Sequence, residues 1–295
     1  MRSLTVIAPA KVNLFLGVGA LRPDGYHAVT TVMHALELAD TVRLTPADDL
    51  TLSCDTDLGI SAENNLAYRA ACEFSEAFGV DVLLEIDVRK RIPSGAGLGG
   101  GSSDAAAVLA GLAHWAGLPR EHERLQRVAR SLGADCAFLL AEGPALMGGR
   151  GDAVVRLLKP IVASVVVVKP PESVCTADAY RAFDAASVPA GDVRQVADAL
   201  RSADLGALGA GLANNMTAAS AGMVPAIGEA LAWLGDQPGV AGALMAGSGS
   251  AVFALCARAE DARRVATDAE ARGWWAVATT TRPAGVHVID EEEPT

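Results

Sequence analysis

The chain has 295 residues, 51% hydrophobic and 20% charged, which is a globular composition of about two domains' length. A chain of this size can bury roughly three quarters of the surface it exposes when unfolded, so core size is not limiting. Its 24 basic and 35 acidic residues leave a formal charge of −11. That excludes the basic surface non-specific nucleic-acid binding needs, but not a small anionic ligand held by local dipoles.

Strand-like segments open the chain at 3–8 and 10–18, and a polar turn follows at Leu21-Arg22-Pro23-Asp24-Gly25-Tyr26-His27. Lys11 and Asn13 interrupt the apolar run, so a signal peptide is not expected. Extended segments near 30–38 and 41–45 precede a helix over 61–78, with Ser61 as its N-cap and Asn64–Asn65 in its first turn. Leu83 to Val88 reads as a strand, Pro93 to Ser103 as a glycine-rich loop, and an alanine-rich helix then runs to about Trp115. A second helix spans about 120–132, and Gly148-Gly149-Arg150-Gly151 is a loop near which a boundary divides 1–151 from 152–295.

Strands near 153–158 and 164–169 follow, then helices near 176–185, 192–201 and 223–234. A strand-loop-strand over 240–256, a helix over 259–271 and closing strands near 274–280 and 286–289 complete the order. The longest apolar run, Ile161 to Val168, fits one buried strand, and no stretch suits a transmembrane helix. The acidic tail 290–295 is expected to fray. Strands and helices mix without strict alternation, which favours α+β over a doubly wound parallel sheet. Five scattered cysteines, none in a Cys-x-x-Cys pair, read as free thiols of a cytoplasmic protein, not as a disulfide framework or zinc site.

The informative stretch is Pro93-Ser94-Gly95-Ala96-Gly97-Leu98-Gly99-Gly100-Gly101-Ser102-Ser103-Asp104. Glycine removes the Cβ that would hold a ligand off the backbone, so successive N–H groups can line one concavity. The helix that follows adds unsatisfied donors and the positive end of its dipole. Together these make a phosphate cradle, in which Ser102 and Ser103 could cap the helix, touch phosphate or reach magnesium. It is not a Walker A loop, because Gly101 stands where the lysine belongs. Gly95 to Gly100 satisfies G-x-G-x-x-G, but the acidic residues about 20 positions on, Glu121 and Glu123, fall inside a predicted helix. A glycine-rich turn without a ligand is the bland alternative, and a needlessly destabilising one.

The loop resembles that of the GHMP small-molecule kinases, whose signature is P-x-x-x-G-L-G-S/G-S/G-S/A-A. Pro9-Ala10-Lys11-Val12-Asn13-Leu14-Phe15-Leu16 is similar to the family's N-terminal motif, and Leu244-Met245-Ala246-Gly247-Ser248-Gly249-Ser250-Ala251-Val252-Phe253 to its C-terminal glycine motif. The motifs occur in family order, so the resemblance covers essentially the whole chain. It implies an α+β, two-domain fold with the active site in the cleft between domains, ATP as co-substrate and Mg2+ accompanying it. Ala246 departs from the family, which often has Ser or Thr there.

By residue type alone, Lys11 is either a lysine snorkelling at a sheet edge or an ammonium facing anions, and Asp135 in Gly133-Ala134-Asp135 is an ordinary turn aspartate. The resemblance makes both catalytic: the aspartate takes the acceptor proton, and the lysine points at the transferring phosphate. It places ATP on residues 93–103, with Asn65 and Leu66 near the adenine, although Asn65 is equally plausible as a helix cap. Lys11-x-Asn13-Leu14, Arg22 to His27 and Gly97 to Ala106 are similar to the branch that phosphorylates a hydroxyl of a cytidine-diphosphate substrate on the way to isoprenoids.

In that branch Asn13, Tyr26, His27, Thr176, Tyr180, Gly247 and Ser248 would hold the acceptor, the two tyrosines on opposite faces of the base. A metal would be magnesium carried by ATP, touched by Ser103. Kinases of the same family acting on homoserine, mevalonate or a sugar, and a non-catalytic relative, are the alternatives. A monomer or weak homodimer without a nucleic-acid or membrane partner is expected.

Overall fold

The computed structural model describes residues 2–186 and 188–290; of the tail expected to fray, Asp290 instead pairs with Leu4 in a strand, and 291–295 lie outside the described residues. The two pairs of N-terminal strand segments are two long strands, β1 (Leu4–Leu21) and β2 (His27–Pro46), joined by the Arg22–Tyr26 turn. They pair antiparallel over nearly their whole length, with bulges between Pro9 and Lys11 and between Asn13 and Phe15. The bulges let each strand run on through residues that break its apolar pattern.

After β3 (Thr51–Cys54) the expected helix start is corrected. Ser61 makes no cap; a 3-10 turn occupies Ala62–Asn64, and Asn65 caps α1 (Leu66–Phe78) by accepting from the Ala67 N–H at 2.9 Å. β4 (Leu84–Arg89) then leads into the glycine loop, and α2 (Gly100–Trp115) leaves it. From Ser103 to Ala113 every residue of α2 is buried. Its run of alanines lets it pass through the core among larger neighbours from β1, β2 and α1.

α3 (Glu123–Leu132) is followed at once by α4 (Ala134–Leu140), where a plain turn was expected. β5 (Ala145–Gly148) and β6 (Ala153–Leu157) flank the 149–152 turn. β7 (Ser164–Lys169) is the buried apolar strand read from the sequence. Then come α5 (Thr176–Ala186), α6 (Val193–Ser202), α7 (Leu205–Gly211), β8 (Ala213–Asn214), α8 (Thr217–Met223) and α9 (Pro225–Gly235). The hairpin β9 (Val240–Met245) and β10 (Val252–Cys256), α10 (Ala259–Glu270), β11 (Trp275–Arg282) and β12 (His287–Asp290) close the chain.

The strands join in the order β12-β1-β2-β11-β7-β10-β9, with β4 and β5 also pairing with β2. β2 is thus the hub: it meets β1, β4, β5 and β11. Three apolar clusters fill the interior, one around α1, α2, α3 and α4, one between the sheet and α6, and one under α9 and α10. Among the described residues no helix is long and apolar enough to cross a membrane.

Candidate active site

Two backbone hydrogen bonds moor the glycine loop. The Lys11 N–H donates to the Leu98 carbonyl at 2.9 Å, and the Ala251 N–H donates to the Ala96 carbonyl at 3.1 Å. The loop is therefore held by β1 on one side and by the 246–251 turn on the other. A Cβ on Gly97 would lie 2.2 Å from the Ala246 carbonyl oxygen, so glycine here is required by the protein's own backbone. Gly99, at φ +74°, is the residue before α2, and a Cβ there would press on Lys11 at 3.0 Å. No side chain caps α2, and its first turn carries no acid. Its leading N–H groups and positive dipole end thus face the loop, as a phosphate cradle requires.

Of the two serines that follow, Ser103 is the one expected to touch a metal carried by ATP. Its hydroxyl is wholly buried and donates to the Pro9 carbonyl at 2.8 Å. Ser102 is the serine that lines the adjoining cavity, about 300 Å³ in volume, together with Lys11, Asp135, Thr176, Gly247 and Ser248.

In that cavity Lys11, 4% exposed, places its Nζ 3.4 Å from Asp135 Oδ2. Asp135 comes from the first turn of α4, so a short helix, not a loop, carries it. Lys11 Nζ also donates to Asn13 Oδ1 at 2.9 Å, as two residues on one face of a strand can. Asn13 is largely spoken for. Its Oδ1 accepts a second bond from the Gly247 N–H, and its Nδ2 donates to Thr31 Oγ1, leaving at most one amide hydrogen for a ligand. The 246–251 turn is further held by Asn214 Nδ2 on the Met245 and Gly247 carbonyls and by Ser220 Oγ on the Ser248 carbonyl. Thr176 Oγ1 and Ser248 Oγ meet at 2.9 Å across the cavity wall.

A larger cleft of about 930 Å³ continues from this cavity, sharing Val29, Ala134, Arg150, Thr176 and Tyr180 with it. Tyr26 and His27 line it opposite α5. The His27 ring stacks on Tyr180, centroids 5.3 Å apart, with Nδ1 2.9 Å from the Gly19 carbonyl and Nε2 3.3 Å from Asp184 Oδ1. Tyr26 is 56% exposed and lies under the Arg150 guanidinium, 4.6 Å from its ring centroid. Burial, and then the nearby Asp135 charge, push the Tyr180 phenol up, so it stays neutral. On the other side of the loop a cavity of about 260 Å³ is lined by Asn65, Leu66, Lys90, residues 92–101 and Asp104. Asn65 lines it while its Oδ1 serves as the α1 cap, so both readings of this residue have a basis.

All the sequence-derived site residues but Ser103 thus line three cavities around the glycine loop, two of which share a wall at Val29, Ala134, Arg150, Thr176 and Tyr180. Sequence reasoning missed Arg150, Thr31, Asn214 and Asp184. Arg150 had a signal, a cation inside a glycine turn; the others gain meaning only from partners far along the chain. It also missed Asp40, Lys90 and Asp104, buried together behind the loop. Burial pulls the Lys90 ammonium down, but the two carboxylates outweigh it and hold it above its ordinary value. Among the described residues no group of three or more His, Cys, Asp or Glu could hold a metal ion.

The GHMP kinases N terminal domain matches residues 65–147, and the GHMP kinases C terminal domain residues 196–273. A protein of Pelotomaculum thermopropionicum named 4-diphosphocytidyl-2-C-methyl-D-erythritol kinase is 41% identical over 267 residues, covering 89% of this chain and 92% of its own. One of the same name from Desulfitobacterium hafniense is 38% identical over 282 residues, covering 95% and 96%. A crystal structure of 4-(cytidine 5'-diphospho)-2C-methyl-D-erythritol kinase superposes with a TM-score of 0.79 at 36% identity, covering 95% of this chain and all of that one. Homoserine kinase from Cytophaga hutchinsonii shares the fold, with a TM-score of 0.75 at 21% identity.

Proposed function

The chain belongs to the GHMP kinase family, and from that premise we propose that it phosphorylates a hydroxyl of 4-diphosphocytidyl-2-C-methyl-D-erythritol with ATP, forming the 2-phosphate, in isoprenoid precursor synthesis. The observation that carries the acceptor is the cleft of about 930 Å³ bearing Tyr26, His27 and Tyr180, open onto the Lys11–Asp135 pocket. A pyrimidine has π-faces for the tyrosines and ring donors and acceptors for His27. Arg150, at the junction of cleft and pocket, is placed for a diphosphate.

In this reading Asp135 takes the acceptor proton as the acceptor oxygen bonds to the γ-phosphorus and the bond to the β-phosphate oxygen breaks, releasing ADP. The Lys11 ammonium stabilises the negative charge that develops between them. The N–H groups of residues 95–102 and the α2 dipole cradle the phosphates. Asn65 and Leu66 border the base of ATP. Asn13 orients Lys11 and the Gly247 N–H and offers one donor to the acceptor, while Thr176, Gly247 and Ser248 wall the acceptor's polyol. Magnesium entering with ATP would be held by phosphate oxygens, with Ser102 on the same wall, and would offset their charge.

Residues 1–151 form the N-terminal kinase domain in this reading and 152–295 the C-terminal one, with β6 and β12 of the second pairing with β5 and β1 of the first. A cytoplasmic monomer or weak homodimer completes the reading. The test is ADP release with ATP, magnesium and a panel of alcohol acceptors. Turnover is expected to require the cytidine diphosphate ester; faster turnover with homoserine or mevalonate would refute the proposal.

A further inference from the structure

Behind the glycine loop lies a buried charge cluster that phosphoryl transfer, as derived above, leaves unused. Lys90 directly follows β4, Asp104 lies in α2 and Asp40 in β2. Lys90 Nζ donates to Asp40 Oδ2 at 2.5 Å and to Asp104 Oδ2 at 2.6 Å. The second Asp40 oxygen accepts from the backbone N–H groups of Arg91 at 2.5 Å and Ile92 at 2.8 Å. The Asp40 and Asp104 residues are 0% and 1% exposed.

Both ends of segment 91–99 are therefore tied to one point on β2, the hub strand. The approaching end is held through two peptide N–H groups and Lys90, and the departing end through Asp104 in the second turn of α2. The tie reaches the loop directly, because a Cβ on Gly100, the first residue of α2, would lie 3.1 Å from Ile92 and 3.4 Å from Lys90 Nζ. A buried ion cluster is a poor source of net stability. Desolvation offsets the attraction, and apolar residues of similar volume often do as well. What it does supply is fixed geometry, and a phosphate loop needs that, since a displacement of about 1 Å at a reacting group can cost about 100-fold in rate.

We propose that Asp40, Lys90 and Asp104 form a brace that sets the opening of the phosphate loop, and that they are positioning residues for phosphoryl transfer. The proposal rests on the reading of the loop as the ATP site. Lys90 and Asp104 border the same cavity as Asn65 and Leu66, but the segment they tie carries the N–H groups that meet phosphates. A brace on that segment therefore differs from a general stabilising role in one measurable way: its loss falls on a phosphate-bearing ligand more than on the bare nucleoside.

The experiment is calorimetric binding of ADP and of adenosine to the full chain, wild type against Lys90→Met, Asp104→Ala and Asp104→Asn. Lys90→Met and Asp104→Ala are expected to weaken ADP at least about ten-fold and adenosine less than about three-fold. Asp104→Asn, which keeps an oxygen acceptor for Lys90, should restore ADP affinity to within about three-fold of wild type. In turnover, the first two variants should raise the KM for ATP and leave the KM for the acceptor unchanged. Should Lys90→Met fail to fold, Asp104→Ala carries the same test. Equal losses of ADP and adenosine, or a lowered melting temperature with ADP affinity unchanged, would overturn the brace. So would an Asp104→Asn variant as weak as Asp104→Ala. A wild-type chain that binds no ADP would instead refute the ATP site itself, and the brace with it.

Discussion

Replacing Asp135 by Asn tests the chemistry with the least change of shape. The carboxylate lies 3.4 Å from Lys11 Nζ, and its side chain is 26% exposed against 5% for the lysine. At that separation and an effective dielectric of about 20, the gross attraction is about 5 kcal/mol. Solvent access to Asp135 and the desolvation of Lys11 cut the net value well below that figure. The variant keeps an oxygen near Lys11, and Lys11 keeps its bond to Asn13 Oδ1, so folding stability should shift by no more than about 1 kcal/mol. The rate should respond far more. An amide takes no proton, and the loss of a positioned base lowers kcat by about 10²–10⁴-fold, or roughly 3–5 kcal/mol of barrier. The affinities for ATP and acceptor should change little, because the amide still hydrogen-bonds the hydroxyl. Lys11→Met should also lower kcat, and the double variant should be little worse than the worse single one, since both act on one proton and one phosphoryl group. The assay is steady-state ADP release with parallel equilibrium binding. A kcat within about five-fold of wild type would refute Asp135 as the base.

Tyr26→Ala should raise the KM for the cytidine substrate about 5- to 150-fold and leave that for ATP unchanged, because a stacked base is worth roughly 1–3 kcal/mol; a changed ATP KM alone would put Tyr26 in the wrong cavity. A further prediction concerns pH. Burial pushes the His34 imidazole down to about 4, with its Nδ1 against the Ala35 carbonyl and Nε2 without a partner. The unfolded chain then takes up a proton below its ordinary value of about 6.5 that the folded chain refuses until about 4, so stability is lost as pH falls through that window. The loss from this residue between pH 7 and pH 5 is about 2 kcal/mol, and a His34 ring that titrates near 6.5 by NMR would remove its basis.

Much of this site could be read from the sequence because it is written locally. The glycine loop, the alternation that puts Lys11 and Asn13 on one face, and the Arg22–His27 turn each declare themselves within a dozen residues. What could not be read depends on partners far away. Nothing near Ser103 in the sequence shows that its hydroxyl donates to the Pro9 carbonyl, 94 residues earlier. Ser61 is as good a cap as Asn65 by type, yet the 3-10 turn over Ala62–Asn64 moves the helix start to Asn65. Asp135 seemed to sit in a turn because α4 is only 7 residues long, too short for periodicity to declare it.

The glycines themselves change meaning between the two views. In the sequence they point to close approach by a ligand. In the folded chain Gly97 is needed because the Ala246 carbonyl occupies the Cβ position, and Gly99 because Lys11 passes beneath it. The N-terminal, central and C-terminal motifs therefore interlock before any ligand arrives. Lys11 binds the loop through its backbone N–H and reaches Asp135 through its side chain, while Asn13 joins Lys11 to Gly247. That interlocking explains why three motifs some 80 to 150 residues apart occur together in one chain. A substitution that breaks one of these bonds is therefore expected to shift the other two motifs as well, whichever of them it falls in.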